Sequence, residues 1–185
     1  SDENDQVDTD KFKSKIIDFN HSVDQRNYEL LVNTLNSMFM LLNNKKYISQ
    51  EIITEMKVSN FFQSINECIS TIEVPELISL IALVLLFFAF LSDDLIEGMY
   101  QTGTLGILME ILKDPNSNIS ISILFILFGN VCSLKKFAFL FYDDIFNEIL
   151  NHIPSSSTKI QKNCFYCLYV LTKSIPIPNE HVCPL

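Results

Sequence analysis

The stretch Gly103–Ser133, GTLGILMEILKDPNSNISISILFILFGNVCS, constrains the fold more than any other part of the chain. It reads as a short amphipathic helix, Leu105–Leu112, followed by a polar turn, Lys113–Asn118. A long, almost wholly apolar helix comes next, Ile119–Cys132, ending near Gly129-Asn130. A helix that is apolar nearly all round has to be covered on most sides. One helix of each kind, joined by Asp-Pro-Asn-Ser-Asn, is half of a helical repeat, and the same arrangement recurs on both sides of it.

In chain order, residues 1–10 carry five acids and no base and read as an acidic, disordered tail. From Lys11, the residues Phe12, Ile16, Ile17 and Phe19 share one face of a short helix. Asp24 offers a cap for Asn27–Leu42, where Leu30, Leu31, Leu35, Met38 and Leu42 recur at helical spacing. Ser49 caps Gln50–Met56, Asn60–Ile69 follows, and Pro75 suits the first turn of Glu76–Leu91. Ser92, Asp93 and Asp94 cap Leu95–Tyr100. Beyond Ser133 the pattern predicts two short helices, Lys135–Phe141 and Asp144–Ile153. A turn then leads to a long helix, Lys159–Lys173, carrying Cys164, Phe165, Leu168 and Leu171. Residues 175–185 hold three prolines and cannot continue that helix. No β pattern persists anywhere.

A chain of 185 residues, 48% apolar and 19% charged, is long enough for one domain with a sizeable core. Its net charge of −9 and single arginine, Arg26, exclude nucleic acid as the expected partner, because phosphate binding needs clustered Lys and Arg. Leu77–Leu91 holds only Ser79 among apolar residues, fenced by Pro75-Glu76 and Asp93-Asp94. That is shorter than the ~20 residues needed to span a bilayer, so it reads as a core helix and no membrane partner is expected. Of the five cysteines, Cys68, Cys132, Cys164 and Cys167 lie inside apolar helical patterns, where a free thiol packs as a small hydrophobe. Without a secretory signal at the start, reduced thiols and a cytoplasmic, possibly nuclear, address are the expectation.

Three-helix units, short, medium and long, repeat through this reading. Aligning Asn60-Phe-Phe-Gln-Ser-Ile, Gly103-Thr-Leu-Gly-Ile-Leu and Asp144-Ile-Phe-Asn-Glu-Ile gives periods of 43 and 41 residues. Armadillo and HEAT solenoids repeat every 40–47 residues or about that. The chain resembles an armadillo-repeat protein. Gly103-Thr-Leu-Gly-Ile-Leu resembles the family's Gly-x-Ile-Pro-x-Leu at the second helix, and Ile126-Leu-Phe-Gly-Asn130 resembles the Trp-Ala-Leu-Gly-Asn that ends the third helix in importin-α. Trp is absent here; Leu85, Ile126 and Tyr166 stand at its position, while Ala89 and Val170 replace the Asn that survives at Asn130. The resemblance implies an all-α, right-handed α-solenoid of armadillo type with about four three-helix repeats, at 11–44, 45–91, 92–133 and 134–174. Together these make a helical domain, 11–174, between the acidic tail and a Pro-rich tail at 175–185.

The resemblance also implies a site. The third helix of each armadillo unit lines the concave groove, so Leu85, Ser122, Ile126, Asn130 and Tyr166 are the residues expected to meet a partner. That partner is another protein or peptide, or a second copy of the chain; an importin-like adaptor for basic segments is the alternative. The residues offer little to an enzyme. Cys164-x-x-Cys167, with His181 and Cys183 downstream, is a poor match to the four fixed ligands of structural zinc, so no metal or cofactor is expected. Asp93-Asp94 and Asp143-Asp144 sit where helix starts are expected and read as caps. His21, His152 and His181 have no triad partners. Gly103-Thr-Leu-Gly106 lacks the strand and lysine of a phosphate loop. The sequence therefore reads as a non-enzymatic interaction scaffold.

Overall fold

Five helices in this chain open where a short polar side chain takes up a free N–H. The computed structural model describes residues 2–117, 119–154 and 157–175. Among them are ten helices: α1 Thr9–Asp24, α2 Tyr28–Leu42, α3 Gln50–Val58, α4 Phe61–Thr71, α5 Pro75–Leu91, α6 Asp93–Gln101, α7 Thr104–Lys113, α8 Ile121–Val131, α9 Lys135–His152 and α10 Thr158–Ser174. No strand occurs among the described residues, only an isolated bridge between Gln6 and Tyr47. Asp8, Asn27, Ser49, Ser92 and Ser157 each accept a hydrogen bond from the first turn of α1, α2, α3, α6 and α10. Such caps contribute about 1 kcal/mol apiece. Asp24, expected to cap α2, instead closes α1; Asn27 has the extended backbone that a cap needs.

The chain divides between Ser120 and Ile121 into two compact units. In the first, like packs on like. The first helices of successive repeats, α3 and α6, meet each other; so do the second helices, α1 with α4 and α4 with α7; and so do the third helices, α2 with α5. Phenylalanines from α1, α4 and α5 pack ring against ring in the core of this unit. Phe12 of α1 meets Phe88 of α5 edge-on at 6.0 Å, and Phe19 meets Phe61 of α4 at 5.0 Å. Phe61 and Phe62 both pack against Phe88. Helix α5 is buried on most of its circumference, as its composition requires. No helix among the described residues is long and apolar enough to cross a membrane.

The acidic opening departs from expectation. Residues 2–8 do not form a loose tail; they dock on the α2–α3 connection. Asp5 O accepts from the backbone N–H of Lys46 and Tyr47 at 2.8 and 3.2 Å, and Val7 N–H donates to Tyr47 O at 2.9 Å. Lys46 Nζ pairs with the Asp5 carboxylate at 2.6 Å. Val7, the one apolar residue in the segment, is buried. Composition alone shows the acids, but not that Lys45-Lys46 and an unpaired stretch of backbone wait for them. Of the Pro-rich stretch, only Ile175, which is buried, lies among the described residues.

The corners between first and second helices explain a second departure. A sharp corner needs one residue with positive φ, supplied by Asn60 (φ 57°) between α3 and α4 and by Gly103 (φ 81°) between α6 and α7. Each preceding carbonyl is taken up by an asparagine one repeat earlier. Asn20 Nδ2 donates to Ser59 O at 2.9 Å, and Asn66 Nδ2 donates to Thr102 O at 2.8 Å. Thr104, fully buried, completes the second corner by donating to Asn66 Oδ1 at 2.7 Å. The period puts Asp144 at the next corner, and there α9 runs straight through. Neither Asp143 nor Asp144 has the positive φ of Asn60 and Gly103, and both stay within the helix. The two short helices expected at 135–153 are therefore one, and Asp143-Asp144 lies mid-helix rather than at a start.

Candidate functional site

The second unit is a three-helix assembly in which α10 packs mainly on α8 and also on α9. Helix α8 buries Leu124, Phe125, Leu127 and Phe128, and Phe128 meets Phe141 of α9 edge-on at 5.5 Å. Three polar rungs tie α10 to α8. Asn163 Nδ2 donates to Ser122 O, Tyr166 Oη donates to Asn130 Oδ1, and Ser174 Oγ donates to Cys132 O, each at 2.9 Å. The first and last rungs pair rising numbers with rising numbers, so the two helices run parallel, as successive third helices of a repeat array do. Gly129 makes the middle rung possible. A Cβ there would stand 2.6 Å from Tyr166 Cε1, so only glycine lets the ring lie flat against α8. Burial raises the Tyr166 phenol pKa, with the neighbouring Cys167 adding to it.

The five residues expected to face a partner divide into two groups. Leu85 is 0% exposed and Ser122 5%. Leu85 belongs to a helix covered almost all round, and the Ser122 backbone is taken by Asn163, so neither presents a side chain to solvent in this structure. Asn130 is 9% exposed, and both ends of its amide are engaged: Oδ1 accepts from Tyr166 and Nδ2 donates to Ile126 O at 3.0 Å within its own helix. Ile126 is half-buried. Tyr166 is 37% exposed and alone offers substantial surface. Of the expected site, the structure thus brings together Ile126, Asn130 and Tyr166 around Gly129.

Sequence reading missed the other half of that surface. Phe165, which the sequence places with Cys164, Leu168 and Leu171 in a core-like apolar pattern, is 56% exposed; Tyr169 is 58% exposed. On α10 the buried residues are Asn163, Cys164, Cys167 and Leu171. Lys162, Phe165, Tyr166, Tyr169 and Lys173 recur at i, i+3, i+4, i+7 and i+11, which places them on the opposite side. The signal was present as two stripes on one helix, one of small and aliphatic residues and one of rings. Lys173 Nζ lies 5.5 Å from the centre of the Tyr169 ring, and Lys135 Nζ of α9 lies 5.8 Å from that of Phe139.

The remaining candidates have structural roles. Asp93 and Asp94 form the first turn of α6 behind the Ser92 cap. Gly103 turns a corner. Cys164 and Cys167 are buried, and burial pushes the Cys164 thiol up to about 11 and Cys167 well above its ordinary value. A thiol that holds its proton is packing rather than a nucleophile. His152 sits over Phe125 with Nδ1 2.8 Å from Glu148 O. His181 and Cys183 lie outside the described residues.

First, second and third helices stacking each on its own kind in the first unit, and two parallel third helices 41 residues apart in the second, are the packing of an armadillo-like helical repeat. Solved structures agree. A designed armadillo repeat protein matches with a TM-score of 0.70 at 11% identity, covering 89% of this chain and 66% of the other. A designed armadillo repeat protein in complex with the peptide (KR)4 matches at 0.67 and 11%, covering 89% and 70%. Computationally designed armadillo repeat proteins for modular peptide recognition match at 0.66 and 11%, covering 86% and 63%. The chain spans just under two thirds of the length of the first of these. No protein-family model matches the sequence, and no curated protein does. The fold is armadillo-like, shared at low identity.

Proposed function

We propose that the protein is a non-enzymatic interaction scaffold which holds a segment of a partner protein against the outward face of α10, at Tyr166 and beside Ile126 and Asn130. One observation carries the reading: a third helix, the type that lines the groove in armadillo proteins, leaves a run of aromatic side chains uncovered. Exposed apolar surface of that kind marks a partner site more often than chance. Aromatic side chains also supply much contact area for little loss of conformational freedom. The likeness to designed peptide-binding armadillo proteins supports a peptide or protein segment as the occupant. The free, buried thiols suit a reducing compartment, cytoplasm or nucleus.

Selection of a random peptide display library against the whole chain tests the reading. Peptides recovered should lose affinity by roughly thirtyfold on Tyr166→Ala, the ~2 kcal/mol of an interface anchor. They should be indifferent to Tyr28→Ala, an exposed tyrosine on α2. A library that yields no binder, or binders indifferent to Tyr166, sinks the proposal.

A further inference from the structure

The outward face of α10 is unlike the rest of the molecule in charge. Residues 1–120 carry eighteen Asp and Glu against eight Lys and Arg, whereas residues 121–185 carry four against five. Helix α10 itself has three lysines, Lys159, Lys162 and Lys173, and no acid. Beside its rings lies a shallow depression of about 700 Å3, lined by Ser133, Lys135, Tyr166, Tyr169, Lys173 and Ser174. Neither Lys135 nor Lys173 has an ion-pair partner among the described residues. Lys135 opens α9, whose first turn holds no acid and whose cap position, Leu134, offers no side-chain acceptor. A lysine there adds to the positive end of the helix dipole instead of opposing it.

Resting on the scaffold reading, we infer that this strip selects an acidic segment: an extended peptide with carboxylates spaced between aliphatic residues. The aliphatic side chains would cover Phe165, Tyr166 and Tyr169, and the carboxylates would reach Lys135 and Lys173 at the rim. Charge complementarity decides between occupants. A basic segment would meet ammonium groups with no carboxylate among them. A nucleic acid would find too few cations here and eighteen acids in residues 1–120. A second copy of this chain would bring its own acidic residues, and is separated by solution size.

Two labelled peptides of repeating Glu-Leu-Gly and Lys-Leu-Gly, equal in length, are titrated against the whole chain by fluorescence anisotropy. The glutamate peptide should bind at least tenfold tighter at low salt, with the margin shrinking as salt screens it. Lys135→Glu with Lys173→Glu, both exposed and so tolerable to the fold, should erase or reverse the preference. Equal binding of both peptides, a preference for the lysine peptide, binding of neither, or a preference surviving the double substitution each overturns the inference. Tighter binding of a single-stranded oligonucleotide, or a dimer in solution that Tyr169→Asp dissociates, overturns it as well. Library binders that depend on Tyr166 but carry no acid would discard acidic selectivity and keep the scaffold.

Discussion

Replacing Gly129 by alanine separates two effects of opposite sign. In an ordinary helix interior, glycine to alanine stabilises by roughly 0.5–1 kcal/mol, because the folded backbone costs less entropy. At Gly129 the new methyl would stand 2.6 Å from Tyr166 Cε1 and 3.1 Å from Cδ1, well inside carbon–carbon contact. The half-exposed ring has one exit, outward into solvent, and taking it breaks the 2.9 Å bond to Asn130. That strips a largely buried Oδ1 of its donor, costing about 1–3 kcal/mol, and loses the ring's packing on α8. The net expectation is destabilisation of about 1–2 kcal/mol in urea unfolding. On a Tyr166→Ala background the obstacle is gone, and the same substitution should stabilise by ~0.5–1 kcal/mol. The two numbers differ by ~2 kcal/mol, a coupling that a double-mutant cycle reads directly. Gly106→Ala, exposed and with no atom within 4 Å of the new methyl, is the control and should stabilise. If Gly129→Ala stabilises the wild-type chain as Gly106→Ala does, the ring does not rest on Gly129 and the description of the site is wrong.

Two further predictions concern the core. Asn66→Ala removes the donor to Thr102 O and the acceptor for buried Thr104, and should cost about 1–3 kcal/mol in chemical denaturation; an unchanged midpoint would remove the corner clamp from the account. The Cys68 and Cys132 thiols are held up to about 12 by burial, against an ordinary 9.0. A group whose pKa is raised in the fold keeps its proton longer folded than unfolded, so its contribution is whole below pH 9.0 and is lost as pH climbs through about 12. Melting temperature should therefore fall less steeply across that window in Cys68→Ala than in wild type, and superimposable pH profiles would refute it.

The fold was legible because periodicity is written in side chains that every repeat must bury. The alternation of amphipathic and all-round apolar helices, and the 43- and 41-residue spacing, needed no knowledge of contacts. What was not legible depended on what a segment meets. Nothing local distinguishes Asp144 from a helix start; the difference lies in a positive φ at Asn60 and Gly103 that α9 lacks. Nothing in SDENDQVDTD announces that Lys46 and Tyr47 will hold it. Phe165 reads as core because rings are usually buried, and the helical phase that turns it outward is fixed by Cys164, Cys167 and Leu171, which are smaller. Leu85 was singled out by analogy of position, and its burial follows from the neighbours that α5 needs on almost every side.

The site residue that most resembles the armadillo pattern, Asn130, is therefore not free to bond a partner's backbone. Asn130 has spent its carbonyl on Tyr166 and one N–H on its own helix. To bond a peptide backbone in the armadillo manner it would have to surrender one of these, and a bond exchanged for a bond gains close to nothing. The ring faces have no such competing use. An aromatic side chain buries on the order of 150–250 Å2 in all, and Phe165 and Tyr169 keep 56% and 58% of their surface exposed. Covering what remains of one such ring, at roughly 25 cal/mol per Å2, is worth about 2–4 kcal/mol before ordering costs. A partner held by this face would accordingly draw its affinity from the exposed rings of α10 and its selectivity from the lysines at their edge, with Asn130 serving to hold Tyr166 in place.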